Sequence, residues 1–213
     1  MRLSIAVATV LLMSATSAHA GRVAIEVVDA AGRPVADAVV SLAPGAAASR
    51  SAAPVTRYVD QKDETFVPYV TAAHPGDSVV FRNSDNTQHH VYSFSDIAKF
   101  EYMLSPGERS PPLVLATPGY AAVGCNIHDH MLTYVYVTTD PGIVTTDAKG
   151  RATLDGLAAG QYQAHAWHPQ LRRGVTLPMQ AVAVNDATPA TLRFVLALTP
   201  DPRGPRDREH IGY

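Results

Sequence analysis

The chain has 213 residues, 46% of them hydrophobic and 17% charged, and a formal net charge of −2. That length suits one large domain or two small ones with a real core. The near-balance of charge argues against nucleic acid or an anionic membrane as the main partner, since both favour a basic surface.

Residues 1–20 read as a signal peptide. Arg2 supplies a positive start, Ile5 to Met13 form a short apolar run, and Ala18-His19-Ala20 resembles a cleavage site before Gly21. The run is too short to span a bilayer, and no other stretch approaches the roughly 18 apolar residues a membrane span needs. The expectation is a periplasmic protein without a membrane span, about 193 residues long after cleavage. In that compartment the single cysteine, Cys125, cannot close an internal disulfide.

After Gly21 the chain reads as short strands. Val23, Ile25 and Val27 alternate with Ala24 and Glu26, and Gly32-Arg33-Pro34 marks a turn. A second strand covers about 37–42, and the Ala/Ser-rich stretch between Pro44 and Pro54 reads as a linker. Further strands are expected near 66–72, 78–83, 89–94, 113–116, 120–124 and 132–138, with a turn over 95–100. Beyond Asp140-Pro141-Gly142 come strands near 162–168, 180–185 and 191–196, then a loose tail from Thr199. Many short strands at this spacing imply an all-β fold of sandwiches.

Two phrases, "VDAAGRPVADAVVSL" and "TTDAKGRATLDGLAAGQYQAHA", resemble the opening and middle of transthyretin-like and carboxypeptidase-regulatory-like sandwich domains. In those domains a short loop joins the two; here a long block intervenes. The resemblance implies a discontinuous sandwich, 21–45 with 140–200, and a second sandwich over 55–139 inserted into it; the rival is a linear pair. Residues 201–213 are expected to form a flexible tail.

The chemistry concentrates in the inserted block. Gly124-Cys125-Asn126-Ile127-His128-Asp129-His130-Met131 lies between two strands, and Gln88-His89-His90-Val91 opens another. A thiolate, two imidazoles and a thioether are the donors of a type-1 copper centre, which suits both Cu(I) and Cu(II). Cys-x-x-His puts two donors on one loop, and only one of His89 and His90 can face that loop, because strand side chains alternate. The second cysteine a dinuclear copper loop requires is missing.

The segments Val79-x-Phe81-x-Asn83, His89-His90-Val91, Tyr120, Cys125, His128 and Met131 resemble the cupredoxins, a family that includes plastocyanin, pseudoazurin and azurin. With "DQKDETFVP", "NSDNTQHHVYSFS" and "GCNIHDHML", the chain is also similar to periplasmic plastocyanin-like proteins labelled methylamine utilization protein. The resemblance implies a Greek-key β-sandwich holding one copper ion by His89, Cys125 and His128 with Met131 as weak axial ligand. It favours His89 over His90, and it implies one-electron transfer to a protein redox partner rather than catalysis. The alternative is a copper-binding or copper-delivery protein of the cell envelope with a non-blue site, using His90 or His130. The loop from His128 to Met131 is shorter than in most of that family, which would shift the axial sulfur. His130 is expected at the surface beside the metal, and His74 at the surface. His165 and His168 are expected to be structural, and Asp60, Asp63 and Glu64 solvated.

Overall fold

The computed structural model describes residues 21–45, 53–172 and 174–202. The signal-peptide reading, most of the linker and the end of the tail lie outside the described residues. Within them the regular elements are β-strands: β1 (Gly21–Asp29), β2 (Val39–Pro44), β3 (Thr56–Lys62), β4 (Thr65–Val67), β5 (Val70–Ala73), β6 (Ser78–Asn83), β7 (His89–Ser95) and β8 (Ala98–Leu104). They continue with β9 (Leu113–Val114), β10 (Gly119–Cys125), β11 (Leu132–Val137), β12 (Gly142–Thr145), β13 (Arg151–Leu157), β14 (Gly160–Trp167), β15 (Met179–Val184) and β16 (Ala190–Leu196). No helix among the described residues is long and apolar enough to cross a membrane. The fold is all-β.

The strands form four sheets. Strands β3 to β11 build a central pair, one sheet in the order β5-β11-β10-β7-β8 and the other β4-β3-β6-β9. Strands from the two ends of the chain build a flanking pair, β13-β1-β16 and β12-β2-β14-β15. Most neighbours are antiparallel; β1/β16, β5/β11 and β3/β6 are parallel. Alternation fixes which side chains go inside. On β1 these are Val23, Ile25 and Val27; on β10 they are Ala121, Val123 and Cys125.

Each pair encloses its own core. The flanking core gathers Leu42, Ala164, Phe194 and Leu196 around the β1 valines. The central one gathers Phe66, Phe81, Val91, Leu115, Val135 and Met131. Fully burying a side chain such as Phe81 is worth about 1.5–3 kcal/mol. A third, smaller cluster joins the pairs: Trp167 of β14 packs with Val39, Tyr69 and Val70. Its indole stacks on Tyr136 at a centroid separation of 4.6 Å, with Tyr120 at 5.6 Å and Tyr134 at 6.2 Å. Polar groups close the same seam. The Ser41 hydroxyl donates to the Asp140 carboxylate, His165 Nδ1 lies 3.4 Å from it, and His74 Nε2 is 3.0 Å from the Asp140 carbonyl. His74 is therefore buried, not superficial as expected, because the link from β11 to β12 at Asp140 lies against its ring.

The expected turn over 95–100 is only the tight hairpin at Asp96-Ile97, after which β8 runs on through Leu104. Its alternation of Phe100, Tyr102 and Leu104 with Lys99, Glu101 and Met103 is that of an edge strand with one wet face. Strand β3 also escapes the sequence reading, since one of its inward positions is a buried glutamine, Gln61, whose amide donates to the Arg82 carbonyl.

Candidate metal centre

Two strand ends and one loop build the site. Asn83 closes β6, and its buried amide nitrogen donates to the carbonyls of Thr87 and Leu104 at 2.8 and 2.9 Å. Its oxygen accepts from the Asp85 backbone N–H. The segment 84–88 is thus tied down before β7 begins, and the first residue of β7, His89, enters the core fully buried. Cys125 ends the adjacent strand β10, directly opposite Val91 of β7, and points to the same interior. Beyond it, Asn126 N–H donates to the His90 carbonyl, and Met131 N–H donates to the His128 carbonyl, folding 128–131 into a turn.

The outcome is a triangle of donors. Cys125 Sγ lies 3.7 Å from His89 Nδ1 and 3.9 Å from His128 Nδ1, and the two Nδ1 atoms are 3.2 Å apart. Among the described residues this is the group of histidine, cysteine and acid side chains spaced to hold an ion. A metal about 2.0 Å from nitrogen and about 2.3 Å from sulfur spreads such donors roughly 3.3–3.8 Å apart, so the observed separations fit one ion. Both imidazoles present the same nitrogen, and soft sulfur with imidazole is a donor set copper favours. Met131 is buried in the same core cluster as Cys125.

The two neighbouring histidines lie outside the triangle. His90 points to the opposite face of β7, where Nε2 lies 2.6 Å from Glu101 Oε1. His130 is exposed, as expected, with Nε2 at 3.0 Å from the Glu64 carbonyl and its ring 6.2 Å from that of His128. Neither joins the triangle.

Two acids in this shell have roles the sequence reading did not assign. Asp85 Oδ2 lies 2.9 Å from His89 Nε2, and its two oxygens accept the backbone N–H groups of Asp63 and Glu64 at 2.6 and 3.0 Å. Burial works to raise the Asp85 pKa, yet those N–H groups and His89 together hold its carboxyl below the usual aspartate range. Glu64 extends its carboxylate to 3.7 Å from His128 Nε2, so it is not merely solvated. Burial pushes the His128 imidazole toward neutrality; the facing Glu64 pulls the other way, and His89 and His130 reinforce the burial. A neutral imidazole is the form that can ligate. The available signal for Asp85 was its place four residues before His89. For Glu64 there was none, because β3 and β4 bring it in from far along the chain.

No family model matches the chain, and no curated protein does. Among solved structures, a reduced variant of amicyanin is similar over 46% of this chain and 99% of its own, at 17% identity and a TM-score of 0.37. A purple cupredoxin from Nitrosopumilus maritimus aligns over 38% of this chain and 98% of its own, at 19% identity and TM-score 0.34. A copper-containing nitrite reductase from Thermus scotoductus SA-01 aligns over 45% of this chain but only 25% of its own length, at 22% identity and TM-score 0.36.

Proposed function

We propose that the protein is a mononuclear copper protein of the cupredoxin kind that carries single electrons. His89, Cys125 and His128 would hold the ion, and Met131 would stand as weak axial ligand. The observation that carries this reading is the preassembled triangle of two Nδ1 atoms and one Sγ within 3.2–3.9 Å of one another, with His89 and Cys125 buried and His128 half-buried. When bound, copper supplies a one-electron couple between Cu(II) and Cu(I).

The chain's own residues supply the rest. The central sheets fix His89 and Cys125 at strand ends, so the donors need little rearrangement when the charge on the metal changes. The core around Cys125, formed by Val91, Val123 and Met131, keeps water from the sulfur. His128 is the donor nearest the surface, its side chain 18% accessible, and offers an edge over which an electron could reach a protein partner. A thioether from Met131 in the fourth position would leave no place for a substrate, which would favour a carrier over an enzyme. We also assign the chain to the periplasm on its leader, residues 55–139 to the copper sandwich, and 21–45 with 140–200 to a transthyretin-like sandwich around it. That division is supported by the way β1 and β2 share sheets with β12 to β16.

The test is a visible absorption spectrum of the protein with one equivalent of Cu(II), beside Cys125→Ser. An intense thiolate-to-copper band, bleached by reductant, restored by air and missing in C125S, is the expected result. A weak or irreversible copper complex would overturn the carrier and favour copper delivery; no binding would leave a structural module.

A further inference from the structure

Asp85 lies outside the donor set, yet its side chain is held at both oxygens. Its Oδ1 accepts the Asp63 N–H, its Oδ2 accepts the Glu64 N–H and faces His89 Nε2, and its own backbone N–H is held by Asn83 Oδ1. The two donors from the β3–β4 hairpin exist because Asp63 and Glu64 both adopt positive φ, 53° and 52°, so that successive N–H groups converge on one anion. Neither residue is glycine: the two-residue hairpin turn between Lys62 and Thr65 calls for positive φ at both positions, and the Asp85 carboxylate takes up the N–H groups that this turn presents.

Because Asp85 accepts at Nε2, the His89 proton belongs on that nitrogen, and Nδ1 is left with a bare lone pair aimed at the triangle. A carboxylate bonded to the far nitrogen of a ligating imidazole also raises that ligand's basicity. His128 has no equivalent: its Nε2 faces Glu64 at 3.7 Å, beyond hydrogen-bond reach and with the carboxylate half-exposed.

We propose that Asp85 is a positioning residue for the metal. Clamped by the hairpin, it locks His89 as the Nε2–H tautomer and places negative charge behind it, so that the site holds Cu(II) more tightly relative to Cu(I). The electronic half of this rests on the copper reading above; the tautomer half does not.

The experiment has two readouts. In the metal-free protein, 15N NMR of the imidazoles should show His89 protonated at Nε2, and D85A should lose that preference. In the copper-loaded protein, D85N should keep the thiolate band while the ratio of Cu(II) to Cu(I) affinity falls about tenfold, a rise of about 59 mV for a one-electron couple. D85S, which removes the charge with a smaller group, should move the potential the same way and serves if D85N does not fold. An Nδ1–H tautomer in the wild type, or an unchanged potential in charge-free variants that retain the band, overturns the proposal. A wild type that shows no copper band overturns the carrier reading and the electronic half together, while the metal-free tautomer still decides whether Asp85 positions His89.

Discussion

The flanking and central sheet pairs are built by the same alternation, but they differ in what it carries inside. In the flanking core the buried cluster is aliphatic and aromatic, and the hydroxyls against it are satisfied by backbone, Tyr162 donating to the Ala158 carbonyl and Thr146 to the Val35 carbonyl. In the central core the alternation that buries Val91 and Val123 also buries His89 and Cys125 at the adjacent ends of β7 and β10. Burying polar atoms that face one another is costly unless something satisfies them. The difference teaches how a binding site is made in a sandwich: the strand pattern is unchanged, and two inward positions at one end carry donors in place of apolar side chains.

The comparison can be broken most directly on β7. His89→Ala should reduce Cu(II) affinity by more than the 10–100-fold typical of losing an outer partner, whereas His90→Ala should leave affinity within about twofold, as isothermal titration would read. Equal losses would mean that the inward face of β7 does not define the site. A smaller effect is expected at the seam. Trp167→Ala removes the ring stacked on Tyr136 and should cost about 3–5 kcal/mol in denaturant unfolding. The position of the copper band should stay where it is, since Trp167 belongs to the seam cluster and not to the core that holds Cys125. A shifted band would show that the flanking sheets tune the metal.

The smallest effect lies in two matching turns of the flanking pair, Asp29-Ala-Ala-Gly-Arg33 and Asp147-Ala-Lys-Gly-Arg151. In each, the aspartate accepts backbone N–H groups from two and four residues on, at 2.8–2.9 Å, and a glycine takes a positive φ of 77° or 68°. Those N–H groups hold both carboxyls below their ordinary value of 3.8, the Arg33 amide being the main cause for Asp29 and the Arg151 amide for Asp147. A carboxyl depressed in the folded state adds stability above its unfolded pKa and loses it as pH falls through the folded one. The double variant D29N/D147N should therefore lose less of its thermal midpoint between pH 6 and pH 3 than the wild type does. An identical loss would mean that these turns do not set the acid limb.

Much of the donor set was legible in the sequence because it is local. Cys-x-x-His puts two donors on one loop whatever surrounds it, and a period of two along β7 means that His89 and His90 cannot both point inward. The all-β class follows from the same period. Strands escaped notice where the pattern carried an inward polar residue, as with Gln61 in β3, or where an edge strand was mistaken for a turn, as with β8.

The sequence by itself determined the chemistry on offer: one thiol, the histidines and methionine beside it, and strands that would bury them. Only the tertiary structure decided which of these meet. It brought Asp85 to the hairpin tip at 63–64, it buried His74 beneath Asp140, and it carried Trp167 onto Tyr136. It also bonded Ala38 to Thr146 across 108 positions of chain. Alternation and turn chemistry are set by a residue's own backbone and near neighbours, so they can be read along the chain. Pairing between sheets depends on how strands from distant segments pack, and no local pattern records that.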